Sequence, residues 1–168
     1  MRHLKTTAIT LALFLGVSGS WAADRGPSTP EERAKAIKLT RQLERDPLGG
    51  ETKKSREWLT SWLVVVPDVS VKVCAPLLGP VAGGKTNHAS ELVAQSMYSS
   101  AAFILEHPKK AQDDLATFLA GVEGALRAYE AILKSRPQER WPFLDDLLAR
   151  RKAGTLGEYV RGAMVKCK

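Results

Sequence analysis

A phosphate-binding pattern stands in the middle of the chain. Residues 79–86 read GPVAGGKT, which matches G-x-x-x-x-G-K-[ST] letter for letter. In a nucleotide-binding protein this loop joins a buried strand to a helix, and a second strand supplies an acidic residue for magnesium. No convincing strand precedes residue 79, and no parallel partner strands follow. We therefore rank an NTPase third among the hypotheses and interpret the match as a connector. Its candidate anion-binding residues are Gly83, Gly84, Lys85 and Thr86.

Carboxylates are the second possible source of chemistry. Glycoside hydrolysis needs two opposed carboxylates, one of them with a raised pKa. The candidates are Asp113, Asp114, Asp145, Asp146 and Glu158. Both aspartate pairs fall in the first turn of a predicted helix, where the macrodipole favours negative charge, so a structural role accounts for them. We name no catalytic residue and keep a small carboxylate-dependent hydrolase as the alternative hypothesis.

The cysteines predict a covalent link. Cys74 and Cys167 are the two cysteines of the chain, and an even, minimal count in an exported protein indicates one disulfide. Together with His88 and His107 they are too widely spaced for the close ligand pairs of a zinc site. The sequence contains no C-x-x-C-H motif for covalent haem. We therefore predict a disulfide, no metal and no cofactor.

The N-terminal residues have the pattern of an export signal. MRHLKTTAITLALFLGVSGSWAAD begins with basic residues and continues with the apolar run Ala8–Val17. That run is too short to cross about 30 Å of hydrocarbon. For cleavage after Ala22, the small residues Ser20 and Ala22 occupy positions −3 and −1. We predict that residues 1–22 are a cleaved signal peptide. The expected product is a soluble domain of residues 23–168, periplasmic or extracellular and without a transmembrane segment.

The charge balance is modestly basic. The chain carries 25 Lys and Arg against 18 Asp and Glu, a net charge of +7. This falls to +5 when Arg2 and Lys5 leave with the signal peptide. Charges of both signs are interspersed rather than blocked, which is typical of a solvated surface. We expect no nucleic-acid partner, whereas an acidic protein or an anionic envelope component suits the excess.

Apolar spacing predicts helices throughout the remaining chain. The expected helices cover residues 30–44, 52–66, 88–107, 108–134, 142–152 and 156–166. The clearest pattern, with steps of three and four, comprises Leu115, Phe118, Val122, Ala125, Tyr129 and Ile132. Gly121 and Gly124 permit the close approach of another helix. Residues 68–78 alternate like a strand, but because no second strand exists to pair with them, a short helix or an irregular segment is favoured. We predict an all-α, single-domain bundle of about six helices.

Aromatic and basic residues form the candidate partner surface. These residues are Trp58, Trp62, Trp141, Arg140, Arg150, Arg151 and Lys152. Core packing is the default for tryptophan, and an exposed tryptophan beside arginine would instead anchor a partner. The sequence therefore favours a non-enzymatic, exported helical protein that binds another protein or an anionic envelope component. Its oligomeric state is not predictable beyond monomeric or weakly oligomeric.

Residues 125–144 also resemble part of a tetratricopeptide repeat. The matching positions are Ala125, Tyr129, Leu133, Pro137, Trp141 and Leu144. The likeness covers about one repeat length, and the neighbouring helices do not continue its period. The resemblance implies a helical hairpin and, in function, the binding of a peptide or protein.

Overall fold

The structure is a computed structural model that describes residues 25–84 and 87–167. The predicted signal peptide, Lys85, Thr86 and Lys168 lie outside these ranges. Over the described residues the chain forms six α-helices and two 3₁₀ segments and contains no strand. The predicted all-α bundle is therefore confirmed.

The helices follow the predicted order with shifts of a few residues at their ends. They are α1 (Pro30–Arg45), α2 (Thr52–Val65), α3 (Ala89–Glu106), α4 (Asp114–Ser135), α5 (Pro142–Ala153) and α6 (Leu156–Met164). The 3₁₀ segments are Ala75–Gly83 and Pro108–Lys110. At the start of α1, the Thr29 side chain accepts from the Glu32 amide while the Glu32 carboxylate accepts from the Thr29 amide. This reciprocal pair satisfies two amides that the helix itself leaves free.

One predicted helix start is wrong. The helix predicted from residue 108 begins at Asp114, because Pro108–Lys110 forms a 3₁₀ turn and Asp113 then caps α4 by accepting from the Ala116 amide. The start of α6 at Leu156 agrees with the prediction, and the Thr155 hydroxyl before it contacts the Arg150 carbonyl at 3.4 Å. The error at residue 108 concerns a helix end, which the apolar period does not define.

Helix α3 separates two hydrophobic cores. On one side its N-terminal residues Ala89 and Leu92 pack with the 3₁₀ segment 75–83 and with α4, α5 and α6. On the other side its later residues Tyr98, Ala101 and Ile104 pack with α1, α2 and the segment after α2. All five residues are buried. The 18 residues of α3 therefore hold the two halves of the bundle together.

The contact of α3 with α4 is made by small residues, as the two glycines predicted. A Cβ atom added to Gly121 would lie 2.5 Å from Ser100 Oγ and 2.8 Å from the Ser96 carbonyl oxygen. One added to Gly124 would lie 1.9 Å from Ser99 Oγ. Real Cβ atoms do not approach other atoms so closely. Glycine is therefore required at residues 121 and 124 for the two helix backbones to reach this separation.

The predicted disulfide is present. Cys74 and Cys167 are bonded, with their Cα atoms 5.3 Å apart and 93 residues apart in sequence. Cys74 directly precedes the 3₁₀ segment 75–83, and Cys167 follows α6. The bond therefore fixes the end of α6 against the middle of the chain. Among the described residues, no helix has both the length and the apolar character needed to cross a membrane.

Candidate functional site

The tryptophans of the candidate partner surface on α2 pack against the core around α1 and α2, with Trp62 buried and Trp58 half-buried. Trp58 and Trp62 are stacked with ring centroids 5.8 Å apart, and Trp62 is only 3 % exposed. Lys35 Nζ from α1 lies 4.1 Å from the centre of the Trp58 ring, a cation–π contact. These rings join α1 to α2. Core packing accounts for both of them.

The rest of that surface lies on the other half of the bundle. Trp141 packs half-buried against the core around α4, and its amide donates to Tyr129 Oη at 2.7 Å. The three arginines are paired within the chain. Their ion pairs are Arg140–Asp145 at 3.1 Å, Arg150–Asp146 at 2.7 Å and Arg151–Glu130 at 2.5 Å. Lys152 is exposed at the end of α5. The structure thus divides the seven predicted residues between two separate regions.

The glycine-rich loop has packing reasons for its composition. Gly79 has φ +49°, and a Cβ there would lie 2.6 Å from the Phe143 ring, so residue 79 needs glycine for space and for conformation. Gly84 ends the 3₁₀ segment with φ 68°. In the described chain a 3₁₀ segment leads into the loop and covers its first residues. The strand that precedes a nucleotide-binding loop is therefore missing from the described residues. Whether Gly83, Gly84, Lys85 and Thr86 hold an anion stays a prediction.

The histidine before α3 contacts the segment between α4 and α5. His88 has φ 61°, an uncommon left-handed conformation for a residue with a side chain. Its Nε2 lies 2.9 Å from Glu139 Oε2, and Arg136 Nη1 lies 3.4 Å from Glu139 Oε1. These contacts connect the start of α3 to the segment between α4 and α5. They account for the position of His88 without a ligand.

The carboxylates proposed for hydrolysis have structural partners or are exposed. Asp113 caps α4, and Asp114 accepts from Lys72 Nζ at 2.7 and 2.8 Å. Asp145 and Asp146 pair with the arginines given above, and Glu158 is exposed. In each partnered case the ion pair or the cap gives the carboxylate a role in folding.

The most buried carboxylate is one that the sequence did not single out. Glu44 on α1 is 5 % exposed and accepts from Arg127 Nε and Nη2, both at 2.9 Å, and from Ser99 Oγ at 2.8 Å. Burial alone would raise the pKa of Glu44. The hydrogen bonds from Arg127 and Ser99, with the charges of Arg127 and Arg41, outweigh burial and lower that pKa. The same pairing raises the pKa of Arg127 against the effect of its own burial. This network joins α1, α3 and α4.

An apolar groove of about 600 Å³ lies between α2 and α3. Its volume is within the usual range for ligand sites. The groove is lined by Thr60, Leu63, Val64, Val69, Val71, Val81, Ala82, Gly84, Ala89, Ser90, Val93, Ala94, Met97 and Tyr98. None of these residues is charged. The hydroxyls of Tyr98 and Thr60 bond to each other at 2.7 Å, and Tyr98 Oη also lies 3.3 Å from the Arg56 carbonyl.

Large apolar side chains are exposed around this groove. Val64 in its wall is 79 % exposed, Val65 beside it is 52 % exposed, and Val73 is 65 % exposed. Val73 lines a second cavity of about 210 Å³, which shares Val93 and Met97 with the groove. Apolar exposure concentrated at a concave site is typical of an interaction surface. Val165, 81 % exposed after α6, is an exposed valine that lines neither cavity.

One wall of the groove is an irregular segment, residues 67–73, which we call the strap. The strap follows α2 and carries Val69 and Val71 into the groove lining. The main chain of residues 69–73 makes no hydrogen bond to any other described residue. The expectation of a short helix or an irregular segment at residues 68–78 is therefore met: an irregular stretch leads to Cys74, and a 3₁₀ segment begins at Ala75.

Comparison with known proteins gives no relative from which a function could be transferred. No protein-family model, curated protein or solved structure matches the chain. The likeness of residues 125–144 to a tetratricopeptide repeat therefore has no family match beside it. The function has to be argued from the groove and the strap.

Proposed function

We propose that this chain is a non-enzymatic binding protein that holds a neutral, apolar segment of another protein in the groove between α2 and α3. The observation that carries the proposal is the groove itself: about 600 Å³, open to solvent, and free of charged residues in its described lining. Val64 in its wall is 79 % exposed. Burying an exposed valine side chain stabilises a complex by about 1.5 kcal/mol.

The lining supports binding rather than catalysis. General acid–base chemistry needs a group that gains or loses a proton near neutral pH. Among the described lining residues the ionisable side chain is Tyr98, which is buried and whose hydroxyl is engaged with Thr60 and the Arg56 carbonyl. The carboxylates nominated for hydrolysis do not line the groove. A hydrolase therefore has less support than a binding protein.

Export is part of the proposal. Residues 1–22 have the pattern of a cleaved signal, and the Cys74–Cys167 bond suits the oxidising periplasm or extracellular space. An anionic envelope component has less support than a protein partner, because Arg140, Arg150 and Arg151 are already paired with acids of the chain. A protein that presents an apolar segment in that compartment is the proposed partner.

Selection from displayed peptides tests this function. The disulfide-bonded protein is panned against random twelve-residue peptides on phage, and enriched peptides are synthesised and measured by calorimetry. Val64→Lys places a charge in the groove wall, and we expect it to weaken binding at least tenfold. Val165→Lys is the matched control, because Val165 is equally exposed, also stands at a helix C-terminus, and lies outside the groove.

The outcomes separate the candidate occupants. Enriched peptides that lose affinity with Val64→Lys and keep it with Val165→Lys support the proposal. No enriched peptide, or peptides insensitive to Val64→Lys, would overturn it. Dodecanoate is measured in parallel. If it binds in a Val64-dependent manner while no peptide does, the groove holds a hydrocarbon chain and the protein-partner proposal is wrong.

A further inference from the structure

We infer that the segment held in the groove binds as an extended strand, hydrogen-bonded along the strap. This inference rests on the proposed function and adds the mode of recognition. Unpaired strand edges can recruit a strand from another chain, with main-chain hydrogen bonds giving affinity and pockets for alternate side chains giving specificity. The strap provides such an edge beside an apolar groove.

The main chain of the strap is available. No hydrogen bond links the main chain of residues 69–73 to another described residue. Val69 is buried and Ser70 exposed, while Val71 is half-buried and Lys72 exposed, so exposure alternates over these four residues as it does in a strand. The alternation ends at Val73, which is 65 % exposed. The main chain of the strap has no partner among the described residues. A bound peptide would supply the second strand.

The strap is also held in place before any partner arrives. At its start, the Asp68 carboxylate accepts from the Ser28 amide at 2.7 Å and hydroxyl at 2.8 Å, and from Arg33 Nη2 at 2.8 Å. Burial would raise the pKa of Asp68, but the bonds from Ser28 and the Arg33 charge lower it, so this anchor is ionised at neutral pH. Further along, Lys72 pairs with Asp114, and the disulfide holds Cys74. A strand ordered in advance has little conformational entropy left to lose on binding.

Charge complementarity limits the partner's sequence. Val69 and Val71 face a groove whose described lining is neutral and largely apolar, so every second partner residue should be apolar and uncharged. The intervening residues would lie beside exposed Ser70 and Lys72. A polar side chain suits those positions, and no acid is required there because Lys72 is already paired with Asp114. We therefore expect an alternating apolar–polar segment.

An extended peptide fits these features better than a helix or a hydrocarbon chain. A helix bonds its own backbone internally and would leave the strap unpaired, and a hydrocarbon chain has no hydrogen-bonding groups. An extended peptide needs partners for its amides and carbonyls. The main chain of residues 69–73 provides them at the groove edge.

The peptides enriched in the panning experiment test the strand. Each peptide is resynthesised in two forms. One form is N-methylated at every odd-numbered residue, and the other is N-methylated at every even-numbered residue. In a strand paired along one edge, either the odd-numbered or the even-numbered amides face the strap. Methylation of the amides that face the strap should weaken binding about a hundredfold, because each of several lost hydrogen bonds is worth about 1 kcal/mol. Methylation of the amides that face away from the strap should leave the affinity unchanged.

The result distinguishes this inference from the proposed function. The strand is supported if one methylated form loses affinity and the other keeps it, and if the enriched peptides have an alternating apolar pattern. If both methylated forms lose affinity and the apolar residues are spaced by three and four, the groove holds a helix. If neither form loses affinity, side-chain contacts alone hold the peptide. Either of these overturns the strand while leaving the Val64-dependent binding intact. Peptides insensitive to Val64→Lys would overturn both.

Discussion

Helix α3 meets its two neighbours in opposite ways. Against α4, Ser99 and Ser100 pack onto glycines so tightly that no Cβ could be added at Gly121 or Gly124. Against α2, the same helix borders an open groove of about 600 Å³ with Val64 exposed in its wall. Close packing at one face fixes the fold, and its absence at the other leaves apolar surface for a partner. This contrast is what locates the candidate site.

Removing the disulfide should have the largest effect on stability. Because the bond closes 93 residues, replacing Cys74 and Cys167 together with alanine should lower the free energy of unfolding by about 4 kcal/mol. Urea denaturation measures the loss. Hydrogen exchange should then increase first in α6 and the 3₁₀ segment 75–83, while the amides of the α3–α4 contact stay protected. Uniform loss of protection would mean that the two regions do not differ in stability.

Adding a side chain at the tight contact between α3 and α4 should lower the free energy of unfolding somewhat less than removal of the disulfide does. In Gly124→Ala the new Cβ would meet Ser99 Oγ and Cβ, and Ser99 is held by hydrogen bonds to Gln95 and Glu44. We expect a loss of about 3 kcal/mol, measured by thermal and urea unfolding. Gly157→Ala is the control, because nothing lies within 4 Å of a Cβ there, and it should be neutral or stabilise α6 slightly. Equal losses in both variants would refute close packing as the cause.

The buried ion pair gives the next largest effect, and it depends on pH. Glu44→Gln should lower the free energy of unfolding at pH 7 by about 2 kcal/mol, because Arg127 loses its buried counter-charge. The folded state lowers the pKa of Glu44, so its contribution is complete above the ordinary glutamate pKa. It is lost as pH falls through the lowered value. Urea midpoints measured between pH 7 and pH 2 should therefore converge for the two proteins at the acid end.

Changes in the groove wall should affect stability least. Val64 is 79 % exposed, so Val64→Lys should change the free energy of unfolding by less than about 0.5 kcal/mol. The cation also stands near the C-terminus of α2, where the macrodipole favours it. Thermal unfolding of this variant beside Val165→Lys measures the effect. A large loss would show that Val64 contributes to the fold, and the groove would then be part of the core.

The sequence predicts the helices well because their apolar spacing is local. The steps of three and four from Phe118 to Ile132 correspond to buried residues of α4, and Gly121 and Gly124 correspond to the close contact with α3. The disulfide was also predictable, because the chain contains two cysteines. The helices and the glycine contact follow from residue types and from neighbours along one helix, and the disulfide follows from the cysteine count.

The groove and the ion network depend on distant residues and escape such reasoning. Glu44 and Arg127 are 83 residues apart, and a charged residue near the end of a helix is ordinarily solvated. The seven residues of the candidate partner surface share chemical type, but the bundle separates Trp58 and Trp62 from Trp141. The position of the strap beside α3 follows from its anchors at Asp68 and Cys74, which involve Ser28 and Cys167.

The disulfide also determines how the molecule would respond to a pulling force. Tension applied between Arg25 and Cys167 passes through the sulfur atoms, so the chain between the two cysteines cannot lengthen. The extensible part is the chain from Arg25 to Cys74, roughly 170 Å when fully drawn out. That part contains α1, α2 and the strap. A mechanical load would therefore dismantle the wall of the groove while the covalent ring around α3, α4, α5 and α6 stayed closed.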